Sequence, residues 1–221
     1  MVRECIDNIE SESNLAPGLL LIPDISGFTE YIINADLQHS QKKIGELLET
    51  ILDSNILPMS VSELEGDAVL FYSLHDHSSL NNVIEQCENM YIRFHEKLNE
   101  FTIDDQRCKC GSCQLLLNLG LKFFIHYGTI GSLMVKGFCK LYGSEIILVH
   151  RLMKNSIPVH EYILFTQDFL NVYAERKHHS KLNDIDLIIR KDTISGFGDI
   201  SYKYLAMPNI LISDKKNITY V

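Results

Sequence analysis

The sequence predicts an α+β fold: a βαββαβ unit of the split, ferredoxin-like kind, followed by a C-terminal extension. Three observations predict it. Leu19 to Ile22 is an unbroken apolar run with the length of a buried strand, and it stops at Pro23-Asp24. Val61 to Tyr72 reads as two strands joined at Glu65-Gly66-Asp67, where glycine permits a tight reversal. Helical patterns fill residues 28–34, 39–54 and 79–100, and a further strand-like run covers 115–125.

Residues 1–15 are polar and acidic and read as a tail. After the strand at 19–23, Ser26 is placed to cap a helix from Phe28, with Tyr31, Ile32 and Ile33 turned inward. Gln38 to Asn55 carries a stripe of Ile44, Leu47, Leu48, Ile51 and Leu52, suited to core or dimer packing. Pro58 forces the chain out of helix into strands at 59–64 and 68–73. His75 and His77 lie in a polar connection, either as solvated loop groups or as metal ligands. Ser79 to Phe101 is a long helix in which Cys87, Tyr91 and Phe94 fall at core spacing.

Beyond the strand at 115–125, a turn is expected at His126-Tyr-Gly128 and a strand at 130–137. A helix runs from Gly143 or Ser144 through Lys154, with Ile147, Leu148 and Leu152 inward, until Pro158 breaks the chain. A strand at 162–165, a helix at 167–175 and closing strands at 186–190 and 201–207 around Gly196-Phe-Gly198 complete the reading. The domain therefore spans 16–207, with an insertion at about 104–114 and a second tail at 208–221.

In a βαββαβ unit the first and third strands are antiparallel neighbours. Asp24, ending the first, and Asp67, opening the third, are thus brought to one sheet edge. Two carboxylates there suit a divalent cation such as Mg²⁺ or Mn²⁺. The adjoining turn opens onto a helix N-terminus, whose backbone N–H groups suit a phosphate. Carboxylates for a cation beside amides for an anion describe a metal–nucleotide site; a plain strand–turn–helix with Asp24 serving the turn is the other reading.

Cys108, Cys110 and Cys113 crowd into six residues, and with Gly111 allowing a tight turn they can wrap one tetrahedral Zn²⁺. Cys139, Cys87, a histidine or a second subunit would supply the fourth ligand. A reduced or redox-active loop is the alternative. The position between helix and strand suits a structural staple.

The formal charge of −9 argues against non-specific nucleic-acid binding, which phosphate neutralisation drives. No apolar run approaches the roughly 20 residues of a membrane span. Met1 to Asn14 has no apolar segment of signal-peptide type, so a cytoplasmic protein with reduced thiols is expected.

Asp24-Ile-Ser-Gly-Phe-Thr29 resembles the Asp-Ile-x-Gly-Phe-Thr signature of class III nucleotide cyclases. Glu63-Leu-Glu-Gly-Asp67 looks like their second-metal hairpin, and His126-Tyr-Gly-Thr-Ile-Gly131 is similar to their central His-x-Gly-x-x-x-Gly segment. Tyr142-Gly143 through Arg151-Leu152 matches the helix that carries a transition-state arginine. The chain resembles still more closely an uncharacterised bacterial family of the same fold, with a Cys cluster and a Lys-Asn-Ser-Ile-Pro segment.

The resemblance implies that Asp24, Asp67 and the Ile25 carbonyl hold Mg²⁺ or Mn²⁺. It implies that Gly27, Phe28 and Thr29 hold phosphates, and that Arg151 neutralises charge on the transferred phosphorus across a homodimer interface. Glu63 and Lys140 fall at base-reading positions. The stripe at 44–52 and the region of Tyr142 are the expected dimer surfaces. Three positions depart from the family: Ile147 replaces a ribose-positioning asparagine, Lys140 stands at a base-reading position where Asp or Cys is usual, and Ser195 stands near the place of a triphosphate-binding lysine.

Three readings follow. The first is a metal-dependent nucleotide cyclase, a phosphorus–oxygen lyase, acting on a nucleoside triphosphate. The second is a cyclase-fold module that senses a nucleotide without turning it over. The third is a zinc-stapled interaction module with a vestigial site.

Overall fold

The computed structural model describes residues 15–76, 78–104, 115–175 and 187–207. The elements are β1 (Leu15–Ser26), α1 (Phe28–Asn34), α2 (Leu37–Asp53), β2 (Ser60–Glu65), β3 (Ala68–Leu74) and α3 (Leu80–Asp104). After a 3₁₀ turn at Leu116–Asn118 come β4 (Gly120–Val135), β5 (Phe138–Tyr142), α4 (Ser144–Leu152), β6 (Tyr162–Thr166), α5 (Gln167–Glu175), β7 (Ile188–Ile194) and β8 (Gly198–Ala206). The strands form one sheet in the order β2-β3-β1-β4-β6-β8-β7, with β5 paired to the far end of β4. Among the described strands only β4–β6 is parallel, as expected where a helix-bearing crossover joins the two strands. The α+β class and the antiparallel β1–β3 pairing are as the sequence implies.

Helices cover both faces of the sheet, so β1 has no polar face. Leu19, Leu21 and Ile25 pack with β3, β4, α2 and α3, while Leu20 and Ile22 pack on the other side with α4, β6 and β8. This two-sided burial explains an unbroken apolar run in place of alternation. The stripe of α2 belongs to the first of these cores: Leu47 and Ile51 are fully buried and Ile44 nearly so. It is therefore spent within the subunit and is not a dimer surface.

Several local expectations are corrected. Ser26 does not cap α1; it is the last residue of β1, and its hydroxyl donates to the His160 carbonyl at 2.8 Å. Gly27 is the N-cap, with φ 83° and no side-chain cap. Ile33 faces solvent, leaving Tyr31 as the buried residue of α1. The helix expected at 39 starts earlier, because the Asp36 carboxylate accepts from the N–H groups of Gln38 (3.0 Å) and His39 (3.1 Å).

His126-Tyr-Gly128 is not a turn. Strand β4 runs straight through it, with His126 opposite Leu20 and Gly128 opposite Gly18. The reversal comes at Lys136-Gly137, where both residues have positive φ (47° and 85°), as a two-residue hairpin turn requires. Strand β5, absent from the sequence reading, follows it.

Near the start of β6, Glu161 closes a bracket between sheet and α3. It accepts from Tyr91 Oη at 2.9 Å and the Leu121 N–H at 3.0 Å, and it pairs with His95 Nε2 at 2.7 Å. Burial alone would raise its carboxyl; the His95 hydrogen bond and charge, with the Leu121 and Tyr91 donors, outweigh it and hold the group below its ordinary value. A depressed carboxyl contributes stability that is present above its unfolded value and is lost as pH falls through the folded one. Glu161→Gln should therefore lower stability by about 2 kcal/mol near neutral pH, less than for a fully buried pair. The difference from wild type should shrink as acid protonates Glu161. Urea unfolding at stepped pH checks both statements; equal midpoints at neutral pH would contradict them.

Candidate functional site

Asp24, Glu63 and Glu65 share one face of the sheet, the face covered by α4, while Ile25 and Phe28 belong to the opposite side. Asp24 pairs with Ala68, and Glu63 and Glu65 pair with Leu70 and Ala68, whose side chains belong to the α4-side core. Two groups of residues result.

The first group sits where β1 ends. The Ile25 N–H donates to the Asp67 carbonyl at 3.2 Å, fixing the β2–β3 turn against the end of β1. Asp24 is buried, with 5 % of its surface exposed. Burial, and then the Asp24 charge, push the Asp67 carboxyl up to about 6, against its own backbone hydrogen bond and the charge of Lys122. Lys122 is the addition that sequence reasoning missed. It lies directly opposite Asp24 on β4 and places Nζ 2.9 Å from Asp24 Oδ2. A lysine at an inward position of the apolar run Leu121 to Ile125 was the available signal. The Gly27 turn adjoins this group along the chain. A Cβ at residue 27 would lie 2.8 Å from the Asn118 carbonyl oxygen, so both the space and the left-handed φ require glycine.

The second group lines a cavity of about 650 Å³ between β2, β5 and α4, and it gathers Glu63, Lys140, Ile147 and Arg151. These positions, scattered in sequence, thus converge; Asp24 and Asp67 are not among the residues lining this cavity. Arg151 is exposed. Its Nη1 donates to the Ser195 carbonyl, and its guanidinium lies 5.8 Å from the Phe197 ring centre. Ile147, expected inward, is 51 % exposed, while Ile146, Leu148, Val149 and Leu152 fill the core.

His150 was also missed, having been overshadowed by the neighbouring Arg151. Its Nδ1 lies 3.4 Å from Glu65 Oε2, its Nε2 4.0 Å from Glu63 Oε1, and Lys140 Nζ 3.8 Å from Glu63 Oε2. Glu63, Glu65 and His150 present ligand atoms within 4.8 Å of one another, a donor set able to hold a divalent ion. The Lys140 ammonium offsets one of the two carboxylates.

The His126 motif is a packing device. His126 is fully buried, with Nδ1 2.9 Å from Thr166 Oγ1 and Nε2 2.6 Å from Glu145 Oε2. Glu145, at the start of α4, reaches it across Gly128, where a Cβ would come within 2.7 Å of Glu145 Cγ. Histidine and glycine two apart on β4 therefore dock the N-terminus of the helix that carries His150 and Arg151.

Cys108, Cys110, Cys113 and His77 lie outside the described residues. Cys87 is a free thiol, fully buried in the apolar core on the α2/α3 side, and burial raises it well above its ordinary value. Cys139 is disulfide-bonded, which corrects the expectation of reduced thiols at this position and removes Cys139 from the candidates for a fourth zinc ligand. Among the described residues no helix is long and apolar enough to cross a membrane.

The sheet order, the β4–β5 arm and the placement of α4 give the fold of class III nucleotide cyclase catalytic domains. Solved structures agree. The adenylyl cyclase CyaB from P. aeruginosa superposes with TM-score 0.59 at 15 % identity, over 86 % of this chain and 94 % of that one. The guanylyl cyclase Cya2 gives 0.57 at 14 %, over 86 % and 92 %. The guanylate cyclase domain of RhGC from Catenaria anguillulae, solved in complex with GTP, gives 0.57 at 13 %, over 86 % and 96 %. The chain itself belongs to the family described as Protein of unknown function (DUF2652), whose model matches residues 44–162. The uncharacterized protein Rv2561/Rv2562 of Mycobacterium tuberculosis is 29 % identical over 191 residues, covering 76 % of this chain and 89 % of that protein.

Proposed function

We propose that this chain is a cyclase homologue that binds a nucleoside triphosphate together with Mg²⁺ or Mn²⁺ between two copies of itself. The observation that carries the proposal is the meeting of Asp24 and Asp67 at the end of β1, where Asp24 is buried and the Asp67 carboxyl is raised by burial and then by the Asp24 charge. Two carboxylates and the Ile25 carbonyl offer hard oxygen ligands, which fit Mg²⁺ or Mn²⁺. Such an ion would neutralise the triphosphate and draw charge off the reacting phosphorus. The amides of Gly27, Phe28 and Thr29 would take phosphate oxygens, Glu63 and Lys140 would read the base, and Arg151 would face the phosphorus of the partner's site.

Ile147 favours binding over fast turnover. It occupies the cavity wall but can neither donate to nor accept from a ribose oxygen. A missing polar contact of that kind costs about 10²–10³ in rate. Arg151, in turn, is tied to the Ser195 carbonyl. Incubation with each ribonucleoside triphosphate and Mg²⁺ or Mn²⁺, followed by chromatography for cyclic products, tests turnover. Equilibrium binding of non-hydrolysable analogues tests uptake. Failure to bind any triphosphate with either metal would refute the proposal.

The cysteine cluster is read as a structural zinc staple. Purified protein should carry about one Zn²⁺ per chain or per dimer on Cys108, Cys110 and Cys113, by elemental analysis. Folded, metal-free protein with three freely titrating thiols at those positions would refute it. We further place the protein in the cytoplasm.

A further inference from the structure

The end of β1 already holds a cation. Lys122 stands directly across the antiparallel β1–β4 pairing from Asp24, and its Nζ lies 2.9 Å from Asp24 Oδ2. The pair is sheltered: side-chain exposure is 7 % for Asp24 and 21 % for Lys122. The lysine stem has little freedom to leave, because it rises from the middle of the sheet. Its Nζ sits 5.9 Å from the ring centre of Phe124, two residues along β4, and Tyr162 meets that ring edge-on at 5.9 Å. The ammonium therefore occupies the Asp24 side of the space that a cation shared with Asp67 would enter.

Resting on the metal–nucleotide reading of this site, we propose that Lys122 is a tethered cation that determines how many metal ions the site accepts. It fills one cation place on Asp24, so that a single divalent ion accompanies the triphosphate. The physical reason is charge balance. Asp24 and Asp67 bring two negative charges to the sheet edge; the ammonium in contact with Asp24 offsets one of them, which leaves the pair with too little charge to hold a second divalent ion beside the one that the triphosphate carries. An ion that binds both carboxylates must also share Asp24 with Lys122, which weakens the bare metal and leaves the metal–triphosphate complex as the preferred ligand. A neighbouring unit charge at this range alters the charge preference of a site by about 10- to 1,000-fold, and partial exposure places the effect toward the lower end.

The test is Mn²⁺ binding, followed by the electron paramagnetic resonance signal of free Mn²⁺ and by calorimetry. Full-length wild type, Lys122→Arg and Lys122→Met are compared, with and without a non-hydrolysable triphosphate. Wild type and Lys122→Arg should bind one Mn²⁺ per site with the analogue, and the bare ion only weakly. Lys122→Met should bind bare Mn²⁺ at least about tenfold tighter and take a second ion with the analogue. Two ions per site in wild type overturn the inference without any variant, so a poorly folded Lys122→Met does not shelter it. Equal bare-metal affinity in wild type and Lys122→Met also overturns it, while leaving the metal–nucleotide reading intact. No Mn²⁺ uptake in any chain, with or without the analogue, refutes both.

Discussion

A saturating mixture of Mn²⁺ and a nucleoside triphosphate should raise the melting temperature of the wild-type protein, and the Asp24→Asn/Asp67→Asn variant should not respond. A ligand at about 100 times its dissociation constant stabilises the state that binds it by about 2.7 kcal/mol. For a chain of this size that corresponds to a shift of roughly 5–10 °C. Scanning calorimetry with metal alone, triphosphate alone and both together measures it. A double variant that responds as wild type does would place the site elsewhere.

The single variant Asp67→Asn separates lost binding from lost folding. Burial and then the Asp24 charge raise the Asp67 carboxyl to about 6, above its ordinary 3.8. A carboxyl with a raised folded value opposes folding once both states are ionised, and the penalty vanishes as pH falls below the unfolded value. Removing that charge should leave the ligand-free protein at least as stable as wild type at neutral pH. Loss of the thermal shift in Asp67→Asn then reports the site and not the fold.

The fold was legible where periodicity and breakers act locally. Helix α1 at 28–34 and helix α5 at 167–175 match their predicted limits, because a glycine turn and the end of a short strand set their starts. Strand β4 was misread because a glycine inside a strand gives the same signal as a glycine in a turn. Gly128 is there to admit the Glu145 side chain, a contact made seventeen positions later. Ile147 and Ile146 compete for one inward position on α4, and helical spacing alone does not decide between adjacent residues.

The site was legible to the extent that strand order carries it. Antiparallel neighbours place Asp24 beside Asp67, so two motifs suffice to bring them together. Lys122 required the register of a third strand, and His150 required the packing angle of α4 on β2. Of the two surfaces expected for a dimer, one is used within the subunit. The stripe at 44–52 fits any apolar partner, and its own α3 and sheet claim it first. The β4–β5 arm and α4 do expose apolar residues, Phe138 at 77 %, Tyr142 at 67 % and Ile147 at 51 %, as do α1, α2 and β7 at Ile33, Leu37 and Ile189.

Mixing two inactive chains should restore function if Arg151 serves the partner's site. In a two-fold dimer each subunit gives Asp24 and Asp67 to one site and Arg151 to the other, and the same surface patch meets itself. A dimer of Asp24→Asn/Asp67→Asn with Arg151→Ala then contains one site with all of these groups and one with none. Either variant alone contains only broken sites. With random pairing of equal amounts, half the dimers are mixed and half of their sites are intact, so turnover should return to about a quarter of wild type. If the wild type turns no triphosphate over, the same mixture is scored by Mn²⁺-dependent binding of a non-hydrolysable analogue. Tyr142→Glu, placing a charge on the exposed arm, should prevent the rescue by preventing assembly, since a buried unpaired carboxylate at an interface is strongly unfavourable. Sedimentation that shows a monomer at all concentrations, or an Arg151→Ala chain that alone equals wild type, would exclude the shared site. In that case Arg151 is left with the contact this structure shows, a clasp on the Ser195 carbonyl that holds the β7–β8 turn against α4.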